Sequence, residues 1–219
     1  MARKYQLIIY IIASLVIAAI PVISWPLNWV ETYFHEISHG LTALLTGGQI
    51  ERIVIRLNGS GYCTHTGGWR ELTTFAGYFG AVSAGTMMYL SARLLKKNAV
   101  IISATMIVLI ALSGLLYARD IITIIILGTL IGLFYLSYSD KFSQYFNRTE
   151  EFIGIYVLLS ALRSPFNLFD GRHIGDGAAL ADLTSIPEIF WVGLWMAFGI
   201  FALTMLWFIE RERIESTNY

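Results

Sequence analysis

The chain has 219 residues, of which 56% are hydrophobic and 14% charged, against roughly 25% charged in a soluble domain; its mean hydropathy is +0.64. That excludes an ordinary water-soluble globule and predicts an all-α polytopic membrane protein. Fifteen basic residues balance fifteen acidic ones, which argues against a nucleic-acid partner or a strongly charged substrate. The lone Cys63 excludes an internal disulfide and a cysteine-based metal site.

Leu7 to Trp25 is a first apolar run, preceded by Arg3 and Lys4. It exceeds the ~7–15 apolar residues of a signal peptide and no small-x-small site follows, so it reads as a retained membrane helix kinked at Pro21. Trp25-Pro26-Leu27-Asn28-Trp29 reads as an interfacial turn with two Trp anchors. The helix 29–46 follows, almost wholly apolar apart from Glu31, small hydroxyl residues and one polar motif, and Gly47-Gly48 ends it. A β-hairpin is predicted over 49–68. Ile50, Ile53, Val54 and Ile55 are strand formers, Asn58-Gly59 is a hairpin turn signal, and Tyr62 to Thr66 supplies the return strand. This hairpin either offers an open edge, at Ile53 to Ile55, to an extended peptide or is a connecting loop.

Leu72 to Leu95 is the third span, with Ala76, Gly77, Gly80, Ala81 and Gly85 spaced to let another helix approach closely; it is expected to pack on the helix 29–46. Ala99 to Tyr117 and Ile121 to Leu136 read as lipid-facing scaffold, Ser139 to Glu151 as a polar loop, Phe152 to Phe169 as the sixth span and Pro187 to Ile209 as the last. The expectation is about six or seven transmembrane helices plus a small hairpin, forming a single domain over 1–219. With the N-terminus inside, the segments after His39 and around Asp170 share the cytoplasmic side. The expected setting is a multi-pass protein of the plasma (inner) membrane.

The polar motif is His35-Glu36-Ile37-Ser38-His39. On a helix, positions four apart share a face, so both imidazoles can bind one Zn²⁺ while Glu36 stands ready to take a proton from water. The competing reading is a pair of core histidines, but burying two imidazoles and a carboxylate in lipid without a partner costs several kcal/mol, and ionisable groups at membrane depth are functional by default. A hydrolytic zinc site needs a third protein ligand. The candidates are Asp170, Asp176, His173 and His65. An anion offsets the metal charge better than an imidazole, and Asp170 directly follows an apolar span. Asp176 is the alternative, though it can equally cap a short helix through Ala178 to Leu183. His65 reads as a solvated loop histidine. Glu31, one turn before His35, either orients a ligand or sits at the interface.

His35-Glu36-Ile37-Ser38-His39-Gly40 in an early helix resembles the zinc motif of the site-2 protease group of intramembrane metalloproteases. Pro165, four residues, then Asp170-Gly171-Arg172 is similar in spacing to that group's late third-ligand motif, and Phe75 to Gly80 loosely resembles its small-residue helix. The run Asp176-Gly-Ala-Ala-Leu180 to Ile186-Pro187-x-x-x-Trp191 is similar to a compact branch that lacks an inserted recognition domain. Two positions depart from the pattern: Leu162 stands where the group usually has Asn, and Phe169 where it has Leu. The resemblance covers about residues 30–90 and 160–190. It implies a zinc-dependent intramembrane endopeptidase, acting on a membrane protein or peptide in the lipid bilayer. His35, His39 and a carboxylate from the region 160–178 (Asp170, alternatively Asp176) would hold the metal, with Glu36 as the catalytic base. Asn167, Arg172 and His173 are candidates for contacts to substrate or transition state. The alternative, a non-proteolytic membrane protein with a structural or transported metal, predicts ligands on several spans and a polar path across the bilayer, and gives Glu36 no task.

Overall fold

The structure, a computed structural model, describes residues 5–94, 99–135, 143–170 and 173–217. It is mostly helical, in the order α1 (Gln6–Ala18), α2 (Pro21–Leu45), β1 (Gln49–Ile55), β2 (Gly61–Thr66), α3 (Arg70–Leu94), α4 (Ala99–Tyr117), α5 (Ile121–Tyr135), α6 (Ser143–Arg163), a 3-10 segment (Ser164–Asp170), α7 (Asp176–Thr184) and α8 (Glu188–Thr217).

Helices α1 and α2 meet at a bend of 114°. Pro21 explains its position: at the first residue of a helix the missing N–H would be unbonded anyway, and Ile20 before it is extended (φ −113°, ψ 96°), as proline requires of its predecessor. The expected turn at Trp25 to Trp29 is instead helical, and α2 runs straight through Pro26. Pro26 forfeits a single intrahelical bond there, and tertiary contacts hold the segment. Trp29 donates to the Leu57 carbonyl at 3.1 Å, and Tyr156 of α6 donates to Asn28 at 2.7 Å.

β1 and β2 form a two-stranded antiparallel sheet, with Ile53 opposite Cys63 and Ile55 opposite Gly61. Gly59 takes φ +82° in the connecting turn, which the Asn58-Gly59 pair anticipates. The strands differ in what lies beside them. β1 is covered by α4 and α5, and the Ile55 N–H donates to Thr123 Oγ1 at 3.0 Å. The edge expected at Ile53 to Ile55 is therefore closed. In an antiparallel pair, successive residues alternately face the partner strand and face away. Ile55 faces away from β2, so Ile53 does too, and their partners Gly61 and Cys63 turn their backbone groups away from β1. On that outward edge of β2 the Cys63 backbone bonds Glu36 of α2, and Gly61 borders a cavity.

Helix α3 lies between α2 and α6. A Cβ on Gly85 would stand 2.6 Å from the Leu158 nitrogen, and one on Gly154 would stand 2.6 Å from that of Tyr89. The two backbones thus touch where each has no side chain; the expected packing on α2 is present too, where Gly80 lies against Ser38.

The expected polar loop at Ser139 to Glu151 is helical from Ser143 onward, and residues 136–142 lie outside those described. Its described acidic residues, Glu150 and Glu151, find partners within the protein. Glu150 pairs with Ser103 of α4, and Glu151 accepts from Gln6 of α1 at 2.8 Å. Arg93 of α3 lies 3.8 Å from Glu151 and binds Glu210 of α8 through two nitrogens, at 2.7 and 2.5 Å. One buried cluster thereby ties α1, α3, α6 and α8 together.

Among the described residues, Glu188–Arg213 alone is long and apolar enough to cross a bilayer as a single helix; α1 and α2 pass only as a bent pair. Ile101–Tyr117 and Ile121–Tyr135 are apolar but shorter than the ~20 residues of a straight crossing. Large apolar side chains nevertheless stand on the surface, with Leu115 80% and Ile121 67% exposed.

Candidate metal centre and cleft

His35 and His39 project from one face of α2, and α3 passes directly over them. A Cβ on Gly77 would collide with the His39 ring and stand 2.7 Å from His35 Cε1, so only glycine permits this approach. The next residue, Tyr78, sets its ring edge-on to His35 with centroids 4.5 Å apart. Behind it, the fully buried Trp195 of α8 contacts Tyr78 at 4.7 Å and donates to the Phe75 carbonyl at 3.1 Å. Aromatic packing from two helices therefore fixes one side of the histidine pair.

His39 Nδ1 lies 2.7 Å from the Thr73 carbonyl oxygen. A carbonyl only accepts, so the hydrogen-bond network assigns the proton to Nδ1 and leaves Nε2 of the neutral ring a lone pair. That lone pair faces Asp176. Asp176 Oδ2 is 3.0 Å from His35 Nε2 and 3.3 Å from His39 Nε2, and the two Nε2 atoms are 3.1 Å apart. With a proton on His35 Nε2 these contacts are hydrogen bonds; with that nitrogen deprotonated, three lone pairs converge on one point. Three donor atoms bound to one tetrahedral Zn²⁺ at about 2.0–2.1 Å would stand roughly 3.3 Å apart, close to the spacing found. The imidazole, imidazole, carboxylate set thus fits such an ion, and it is the group of potential metal ligands found among the described residues.

Asp176 arrives on a firm element. Gly175, at φ +111°, occupies the cap position of α7, and Asp176 is the first helical residue. The carboxylate is therefore not spent on capping. Ala178 of the same helix is buried, and Leu180 is completely buried in the cluster with Tyr78 and Trp195.

Glu36 is buried beside the histidines and accepts a hydrogen bond from the Cys63 backbone, on the outward edge of β2. The cavity here, about 280 Å³, is bounded by His35, Glu36, Gly61 and Tyr78. It adjoins a larger one of about 650 Å³ walled by Asn28, Ser160 and Arg163. Glu31, Gly59, Ser164 and Asn167 border both.

Of the residues singled out in the sequence, His35, Glu36, His39, Asp176 and Asn167 meet at this cleft. His173 does not: its side chain is 85% exposed and its Nδ1 lies 3.9 Å from Glu188. His65 is on β2, apart from the metal-ligand group. The side chain of Asp170, and Arg172 altogether, lie outside the described residues. In the sequence nothing marks Thr73, Tyr78 or Gly61 for a site role, and Gly77 stands there only as one of the small residues that let the third span approach. Gly77-Tyr78 was signalled only by the small-residue stretch Phe75 to Gly80, while a backbone carbonyl such as that of Thr73 leaves no mark on a sequence.

A model of the family described as Peptidase M50B-like matches residues 7–207. No curated protein and no solved structure matches.

Proposed function

Because the chain belongs to the peptidase M50B-like family, a metallopeptidase and site-2 protease-like group, we propose that it is a zinc-dependent intramembrane endopeptidase. It hydrolyses a peptide bond in or near a membrane-spanning segment of a substrate protein. The observation that carries this reading is the convergence of His35 Nε2, His39 Nε2 and Asp176 Oδ2 next to Glu36, with His39 Nδ1 against the Thr73 carbonyl. His35, His39 and Asp176 would hold one Zn²⁺. When bound, the ion supplies Lewis-acid polarisation of the scissile carbonyl and of the attacking water.

The rest falls to the chain's own residues. The Glu36 carboxylate takes a proton from the attacking water and passes it to the leaving amine nitrogen. Tyr78 and Gly77 hold the imidazoles in place. The substrate must be unwound at the cleavage site, since a helix encloses its carbonyls in hydrogen-bonded turns. The outward Gly61 backbone on β2 gives such an extended segment a strand to pair with. Asn167 borders the cleft where the substrate would continue. The setting is a multi-pass protein of the plasma (inner) membrane, with about six or seven crossings in a single domain. A structural or transported metal would leave Glu36 without a task.

The test is zinc content and cleavage of a model transmembrane peptide by purified wild type and Glu36→Gln. The variant should keep about one zinc per chain and lose at least ~10²-fold in cleavage. Undiminished cleavage would end this reading.

A further inference from the structure

Glu31 has no role in the chemistry just described, yet it is only 8% exposed and borders both cavities. Its one hydrogen-bond contact among the described residues is Ser164 Oγ at 3.5 Å, far longer than the ~2.5–2.7 Å of a well-made hydroxyl–carboxylate bond. No Lys, Arg or His nitrogen of the described residues lies within 4.0 Å of it. Arg163 stands on the wall of the larger cavity but is itself exposed and forms no ion pair with Glu31. The neighbouring amide oxygens are engaged. Asn28 accepts from Tyr156, and Asn58 accepts from Ser60 through both its N–H and its hydroxyl. A buried carboxylate whose one contact is a hydroxyl at 3.5 Å is poorly compensated, and here it borders a space of about 650 Å³ that can admit a long side chain.

We propose that Glu31 forms a substrate subsite for a cationic nitrogen, seated in the larger cavity next to the metal centre. It rests on the peptidase reading for the identity of its ligand as a peptide. A substrate strand paired with Gly61 passes His35 and Glu36 and then reaches Glu31, so the cation belongs to a residue close to the scissile bond. Its source is a lysine or arginine side chain, or the ammonium of a free N-terminus. Glu31 is thus a specificity-determining residue, and the charge it selects is one that a membrane-spanning helix carries at its ends.

The experiment uses the full chain, zinc-loaded in detergent, and single-span peptides carrying Lys, Gln or Glu near the scissile bond, each with a free or acetylated N-terminus. Binding is read by fluorescence anisotropy on the Glu36→Gln protein, and cleavage on the wild type. The Lys peptide should bind at least ~10-fold more tightly than the Gln peptide, and adding Glu31→Gln should reduce that preference to within ~2-fold. Adding Glu31→Asp instead should retain it, with zinc content confirming folding throughout. A preference that survives acetylation identifies the side chain as the source; one that vanishes with it identifies the terminus. Equal binding of the Lys and Gln peptides, or a preference unchanged by Glu31→Gln, overturns the subsite. Charge-selective binding without cleavage by the wild type would leave the subsite standing and remove the peptidase reading.

Discussion

At the scale of single residues, the third-ligand position turns on which aspartate is held rigidly. Asp170 is favoured in the sequence because it follows an apolar span, while Asp176 stands there beyond Gly171 and Gly175, in what reads as a flexible connection. The structure reverses the premise. Asp176 begins a helix whose Leu180 is fully buried, so little ordering entropy opposes its place beside the histidines. Asp176→Asn is expected to weaken zinc binding at least ~10-fold and to stop cleavage, whereas Asp170→Asn should retain most of both. Competition with a chromogenic chelator measures the first quantity, and the opposite ranking would return the ligand role to Asp170. Gly77 permits a second check, because a methyl group there must displace His39 or His35. Gly77→Ala should lower zinc affinity while leaving Glu36 untouched.

At the scale of elements, the two edges of the hairpin differ in what they face. Thr123 bonds the Ile55 backbone on β1, whereas Gly61 on β2 faces the cleft. If the substrate adds to β2 as a strand, its amides alternate between bonding Gly61 and facing away. N-methylation of single substrate amides around the scissile bond should therefore cut kcat/KM by at least ~10-fold at positions of one parity and by less than ~2-fold at the other. Steady-state kinetics on such a peptide series gives the answer, and an effect without parity would reduce the hairpin to a connection.

At the scale of the whole molecule, the cluster around Arg93 joins helices distant in sequence. Arg93, Glu210 and Glu151 are all buried, and Gln6 brings α1 to the group. Removing the cation would take from the buried Glu210 the guanidinium that binds it through two nitrogens, in a low-dielectric setting. Arg93→Leu should destabilise the protein by about 3–5 kcal/mol, seen as a large fall in the thermal unfolding temperature in detergent. Glu210→Gln, which leaves Arg93 with Glu151, should cost less. An Arg93→Leu protein as stable as wild type would show that the cluster contributes nothing net.

Much of this was legible in the sequence. The His35-Glu36-x-x-His39 spacing sets two imidazoles on one helical face wherever that helix lies, because the geometry is local. The same holds for the Asn58-Gly59 turn and for the order of the apolar helices. Small residues in α3 announced a close approach, since that property depends only on what the side chains lack. The remaining features are relations between distant segments. Which aspartate meets the histidines depends on how α7 packs against Tyr78 and Trp195. Which strand edge faces the cleft depends on α5 reaching β1 through Thr123. Whether Glu150 and Glu151 belong to a loop or a helix depends on partners in α1, α3 and α4. Pro26 is carried inside α2 because Leu57 and Tyr156 hold the segment around it. Local preferences for turn, loop or cap were outweighed in each case by hydrogen bonds and packing that form only when the chain is folded, and those the tertiary structure alone decides.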